Sequence, residues 1–239
     1  MESANVAESG MPGHVSAPDF RHIQTWIFDL DNTLYRADNG IFAQIEARMT
    51  DYVMAFLKLP REEAYARQKE LYRRYGTTLN GLMKEHGAEP DAYLHYVHDI
   101  DLSDLVPDPA LSEALARLPG RRFVFTNGCR DHAARILDRL EMGDLFDQVW
   151  DIRTMDFAPK PDPGAYASVV SAAGVAAATA AMFDDIARNL VPARAMGMTT
   201  VWLKTDAPWG KQGPLMDVAD GDIDHVTGNL TEFLHAIRI

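Results

Sequence analysis

The sequence predicts an α/β fold, a three-layer, Rossmann-like α/β/α sandwich with a mostly parallel sheet and an inserted all-helical segment. Three observations carry this. Short apolar, strand-like runs alternate with single helical patterns through the second half of the chain, the spacing expected of βαβ crossovers. Each of the clearer runs stops at a polar cluster, and open α/β sheets bind ligands at such carboxyl ends. Between the first run and the second, helical periodicity alone is visible.

Order begins near Ile23. The run Ile23–Phe28 is β-prone and ends in Asp29-Leu30-Asp31-Asn32, where two carboxylates and an amide cannot continue a buried strand. A second run, Arg122–Phe125, breaks at Thr126-Asn127-Gly128. Phe146–Trp150 is a weaker third, Ala180–Phe183 stops at Asp184-Asp185, and Thr199–Leu203 is the fifth. Between them, Asp131–Met142 carries Ala134, Ile136, Leu137 and Leu140 at helical spacing. Asp162 can cap a helix that has Pro163 in its first turn, and Asn189–Met196 ends at Gly197.

In the insertion, Ile41, Phe42, Ile45, Met49, Tyr52, Val53 and Phe56 share one helical face. Arg61–Tyr75 follows Pro60, has Glu62 and Glu63 in its first turn and Arg73 and Arg74 in its last, and stops at Gly76. Each placement suits the helix dipole or its caps. Shorter helices are predicted over Leu79–His86, Asp91–Asp99 and Pro109–Leu118. The chain thus divides into a flexible tail (1–20), an α/β core (21–38 and 118–239) and a helical insertion (39–117).

Composition narrows the function. The 239 residues are 47% hydrophobic and 24% charged, the balance of a globular protein. A net charge of −12 argues against binding nucleic acid polymers, whose phosphates are held by Lys and Arg. The longest weakly polar stretch, 167–183, is shorter and less apolar than a bilayer requires, and the first 20 residues lack the marks of a secretory signal. Cys129 is the only cysteine, so a reducing, cytoplasmic setting is expected.

Asp29 and Asp31 stand two apart at a strand end, so extended geometry sends both carboxylates to one side. Two anions about 4 Å apart repel by roughly 4 kcal/mol at an effective dielectric of 20. Holding them there needs a cation, a shared proton or solvent, and a solvated Asp-Asn turn accounts for the pair equally well. Asp184-Asp185 repeats the pattern at another strand end, with Asn189 close behind. Lys160, between Pro159 and Pro161, lies in a loop or helix entry and by itself reads as a surface lysine. Thr126-Asn127-Gly128 offers hydroxyl, amide and backbone donors for an oxyanion, or is an ordinary turn.

Together the four clusters resemble the haloacid dehalogenase-like phosphohydrolase superfamily. Its motifs stand in order as Phe28-Asp29-Leu30-Asp31-Asn32-Thr33-Leu34, Thr126-Asn127-Gly128, Lys160-Pro161 and Phe183-Asp184-Asp185. The resemblance implies strand order 5-4-1-2-3, with the helical insertion as a cap over the site. It also implies Asp29 as nucleophile forming an aspartyl-phosphate and Asp31 as acid and base. Thr126, Asn127 and Gly128 would bind phosphoryl oxygens and Lys160 would neutralise charge. Mg²⁺ would be held by Asp29, Asp185 and the carbonyl of Asp31, supported by Asp184. Dehalogenases of this superfamily lack an acid at the Asp31 position, since a halide leaves without a proton, so a phosphatase is implied.

A narrower resemblance joins Asp29–Tyr35, the segment Tyr75-Gly76-Thr77-Thr78-Leu79-Asn80-Gly81-Leu82 and Asp184-Asp185 with Asn189. It is similar to the pyrimidine 5′-nucleotidases, which release phosphate from nucleoside monophosphates such as UMP and CMP, although Arg36 stands where that subfamily often has Pro. It nominates Tyr75, Thr78 and Asn80 for base recognition, against the simpler reading that Tyr75 closes one helix and Asn80 caps the next. The alternatives are a phosphatase for a sugar phosphate or phosphoglycolate, and a binding protein on this scaffold. His95 and His98 read as exposed histidines rather than a metal pair. Cys129 reads as a small residue at a helix start, and Gly210-Lys211 lacks the glycine and Ser/Thr of a phosphate-binding P-loop.

Overall fold

A computed structural model describes residues 17–205, 218 and 221–239. Among them six strands form one all-parallel sheet: β1 (Thr25–Phe28), β2 (Arg121–Phe125), β3 (Gln148–Trp150), β4 (Ala180–Asp184), β5 (Thr199–Leu203) and β6 (His225–Thr227). Their order is β3-β2-β1-β4-β5-β6. The five expected strands are thus in the implied order, with β6 added beside β5. β6 is three residues of mixed polarity after an acidic turn, too short to show an alternating pattern. The Gly210-Lys211 pair and residues 1–16 of the tail lie outside the described residues.

Side-chain alternation divides the core into two layers. Trp26, Phe28, Val124, Ala181, Phe183 and Val201 face one side and pack on α5 (Pro109–Ala116), α6 (Arg130–Arg139) and α9 (Leu230–Ala236). Ile27, Phe123, Phe125 and Met182 face the other, against α7 (Pro163–Ala173) and α8 (Ala187–Ala195). Four helices connect β1 to α5: α1 (Ile41–Leu57), α2 (Arg61–Tyr75), α3 (Thr78–His86) and α4 (Pro90–His98).

Local chemistry sets these boundaries. Asp162 accepts from Gly164 N at 2.8 Å with Pro163 at the first helical position of α7, and Asp108 accepts from Ala110 and Leu111 at the start of α5. Gly76 ends α2 at a positive φ of 82°, which glycine adopts without a Cβ clash. Asn229 caps α9 by accepting from Glu232 N at 3.2 Å.

Three expectations change. Phe20 is fully buried, stacked on Trp26, and bonded through its N–H to Arg238 O at 2.8 Å, so residues 17–20 are anchored, not a free tail. Helix α5, grouped by sequence with the insertion, shares its apolar face with the sheet and α9. In α6 the buried face is His132, Ala133, Ile136 and Leu137, while Ala134 is exposed. Among the described residues, no helix is long and apolar enough to cross a membrane.

Candidate active site

β1, β2 and β4 run in parallel register, with Phe28 level with Val124 and Phe183, so the polar clusters that follow them emerge together. Asp29 continues the ladder for one bond, its N–H donating to Phe183 O at 2.9 Å. The chain then turns through Asn32, at φ 62°, a conformation Asn tolerates better than most residues.

Lys160 is the charge centre. It is 1% exposed, and its Nζ donates to Asp29 Oδ1 and to Asp184 Oδ2, both at 2.7 Å. Its backbone is clamped by Asn127, whose Oδ1 accepts from Lys160 N at 2.8 Å and whose Nδ2 donates to Lys160 O at 3.2 Å. The Asn127 side chain therefore positions the lysine. Burial opposes the Lys160 charge, but Asp184 and Asp29 outweigh it and raise its pKa. Both Asp184 oxygens are engaged: Oδ1 accepts from Ile186 N and Asn189 Nδ2, and Oδ2 from Lys160.

Asp29, Asp184 and Asp185 bring carboxylate oxygens within 4.8 Å of one another, and Asp185 Oδ2 is buried without a hydrogen-bond partner. Burial pushes Asp29 up to about 7 against the pull of Lys160, with Asp184 and Asp31 adding to the rise. Burial, then Asp29 and Asp184, raise Asp185 well above the usual carboxylate range. Asp29 and Asp184 thus share the lysine, while Asp185 and, nearby, Asp31 make no ion pair with it. An all-oxygen cluster with an orphaned oxygen and excess negative charge fits a hard divalent cation such as Mg²⁺.

Asp31 has a different environment. Its Oδ1 accepts from Tyr35 OH at 2.6 Å and from His132 Nε2 at 2.8 Å. Burial raises its pKa, but His132 and Tyr35 win and hold it at about 2. Thr126, almost fully buried, accepts from Gly128 N at 2.9 Å, which leaves its own O–H to donate elsewhere. A Cβ at Gly128 would lie 3.3 Å from Thr126 Oγ1 and from His132 Cδ2, and 3.8 Å from Asp31 Oδ2, so a side chain there would crowd the turn.

Above these groups lies a cavity of about 160 Å³ whose far wall comes from the inserted helices, including Phe42, Ile45, Met49, Leu79, Tyr93 and Val97. Thr78 lines it, with its hydroxyl turned to Gln68 O at 3.4 Å. Tyr75 and Asn80 do not reach it. Tyr75 donates to Glu85 Oε1 at 2.7 Å, and Asn80 Nδ2 donates to Tyr75 O at 2.9 Å, closing the end of α2, while Thr77 caps α3. Local helix-end bonds engage the Tyr75 hydroxyl and the Asn80 amide nitrogen, so of the three residues nominated for base recognition it is Thr78 that lines the cavity.

Sequence reasoning missed His132 and Tyr35, and misplaced His98. His95 is exposed, but His98 is buried, its ring stacked on His132 with centroids 4.3 Å apart and its Nδ1 3.2 Å from Cys129 Sγ. Burial and the adjacent His132 ring push its pKa down to about 3. A polar residue on the apolar stripe of α6, four residues before Ile136, was the available signal for His132. Tyr72 of α2 meets Arg188 of α8, whose Nη2 donates to its hydroxyl at 2.5 Å, joining the inserted helices to the core.

A family model for haloacid dehalogenase-like hydrolases matches residues 23–197. The chain belongs to that hydrolase family, and its overall fold is similar to those of several solved structures. Of these, a HAD phosphatase from Thermococcus onnurineus superposes with TM-score 0.58 at 19% identity, covering 91% of this chain and 100% of that one. A magnesium-bound HAD-hydrolase from Bacillus subtilis gives 0.56 at 17% identity, covering 91% and 99%. L-2-haloacid dehalogenase from Xanthobacter autotrophicus gives 0.55 at 19% identity, covering 89% and 97%. In sequence, the chain is 30% identical over 193 residues to phosphate metabolism protein 8 of Saccharomyces cerevisiae, covering 73% of this chain and 60% of that longer protein.

Proposed function

We propose that the chain is a Mg²⁺-dependent phosphomonoester hydrolase working through an aspartyl-phosphate on Asp29, with pyrimidine nucleoside monophosphates of the UMP and CMP type as substrates. The observation that carries the reading is the pair of unlike carboxylates, Asp29 against Lys160 and Asp31 held by His132 and Tyr35. A halide departs without a proton and an alkoxide does not, so the second carboxylate favours a phosphate ester over a haloacid.

In this reading Asp29 attacks phosphorus as the ester P–O bond breaks, and Asp31 gives its proton to the departing oxygen. An incoming phosphoryl dianion raises the pKa of Asp31, countering the partners that hold it at about 2. Asp31 then takes a proton from the water that attacks phosphorus, and the bond to Asp29 breaks to release phosphate. Thr126 donates to a phosphoryl oxygen, and Lys160 neutralises the nucleophile. Asp29, Asp185 and the Asp31 carbonyl would hold Mg²⁺, with Asp184 behind them, and the ion would neutralise phosphoryl charge.

The apolar cavity wall with Phe42 and Tyr93 suits a flat leaving group, and the similarity to a phosphate metabolism protein supports a phosphate ester. A single buried cysteine suits the reducing cytoplasm.

The test is phosphate release from UMP, CMP, dTMP, AMP, GMP, sugar phosphates and phosphoglycolate, with and without Mg²⁺. Preference for pyrimidine monophosphates supports the full reading. Turnover of sugar phosphates or phosphoglycolate alone removes the nucleotidase assignment and keeps the mechanism. No Mg²⁺-dependent release from any ester overturns the enzyme.

A further inference from the structure

We propose that His132 and Tyr35 are positioning residues that pin Asp31 by one oxygen, Oδ1, so that the other, Oδ2, is the atom that meets the leaving group. The inference rests on the phosphohydrolase reading of the site. Both hydrogen bonds to the Asp31 side chain converge on Oδ1, from Tyr35 OH at 2.6 Å and His132 Nε2 at 2.8 Å. Oδ2 lies on the Gly128 side, 3.8 Å from where a Cβ of that residue would stand. A carboxylate with neither partner rotates about its terminal torsion, which is broad and roughly two-fold, so its two oxygens would interchange.

The two partners come from separate places, which makes the clamp stiff. Tyr35 lies in the turn after β1, four residues beyond Asp31. His132 stands in the first turn of α6, its side chain fully buried. Its ring is packed face to face on His98 at the end of α4, with an interplanar angle of 13°. His98 in turn meets Cys129 Sγ through Nδ1 at 3.2 Å. The imidazole is therefore wedged between the core and an inserted helix. Its Nδ1 is buried and has no partner, so Nε2 toward Asp31 is the one ring nitrogen put to use. Holding a reacting group within a narrow angular range is what such supporting contacts contribute to catalysis.

The clamp acts only where a proton must reach the leaving oxygen, which sets its test. UMP (or whichever alkyl phosphate the wild type turns over best) has a poor leaving group that needs the proton. p-Nitrophenyl phosphate leaves largely unaided. kcat/KM reports the step that breaks the ester bond. His132→Leu should lower kcat/KM for the alkyl phosphate by about 100-fold, the lower range for general acid catalysis, and that for p-nitrophenyl phosphate by less than about 5-fold. His132→Gln, which can keep an N–H donor, should recover most of the loss. Tyr35→Phe should show the same leaving-group bias in milder form and does not depend on refolding around a lost imidazole.

Equal losses on both substrates, or failure of His132→Gln to rescue together with an unbiased Tyr35→Phe, would overturn the clamp while leaving the phosphatase intact. A wild type that releases no phosphate from either ester would overturn the underlying reading and the clamp with it.

Discussion

At the scale of single residues, Lys160 holds the site's charge together. It is buried and bridges two carboxylates, so removing it leaves Asp29 and Asp184 without their counter-charge. Breaking a buried pair by deleting one partner costs about 3–5 kcal/mol. Lys160→Met should therefore lower the unfolding free energy by that order, read from a urea melt, and abolish phosphate release. His98 makes a second prediction. Its folded pKa of about 3 lies below the usual histidine value, so between about pH 6.5 and 3 the unfolded chain binds a proton that the folded chain does not. Stability should fall with decreasing pH across that window, by up to about 1.4 kcal/mol per unit for one proton. His98→Asn should flatten the slope by one proton in melts taken at several pH values. The carboxylate pairs were visible as polar breaks after apolar runs, but their roles and that of Lys160, by itself a surface lysine between prolines, came from the resemblance of the four ordered motifs to a known superfamily. His132 and Tyr35 were not legible, because their meaning lies in a contact with Asp31 that only the folded chain makes.

At the scale of elements, each predicted helix has an observed counterpart within a few residues, because caps, dipole charges and periodicity act locally, whereas α9 was not predicted. Pro60, Glu62, Arg74 and Gly76 frame α2 as the sequence implies. Which end of a helix faces a ligand is not a local property, and the segment after α2 shows this. Tyr75 and Asn80 look like polar groups presented to a substrate, yet they terminate α2 through the Asn80–Tyr75 and Tyr75–Glu85 bonds. Asn80→Ala should accordingly cost about 0.5–1.5 kcal/mol of stability, the usual worth of one such bond, and leave kcat/KM unchanged for every phosphate ester. A selective change in kcat/KM between nucleotides would return Asn80 to the cavity. The short strand β6 escaped prediction for a related reason: it gains its place from pairing with β5, not from its own three side chains.

At the scale of the molecule, the sheet gathers charge that it does not itself neutralise, and the inserted helices close over it through contacts such as Tyr72–Arg188 and His98–His132. The excess would make binding of the proposed Mg²⁺ pH-dependent. In the proposed site Asp29, raised to about 7, would have to lose its proton to ligate Mg²⁺, so binding below pH 7 should release a proton and weaken by up to about tenfold per unit as pH falls. Calorimetry in buffers of different ionisation enthalpy would count that proton. The most direct test of the whole account is to stop turnover with acid and analyse the Asp29 peptide by mass spectrometry. The account predicts one added phosphoryl group on Asp29 in the wild type and none in Asp29→Asn, which should also release no phosphate. Turnover without a phosphorylated Asp29 peptide, or full activity in Asp29→Asn, would contradict it.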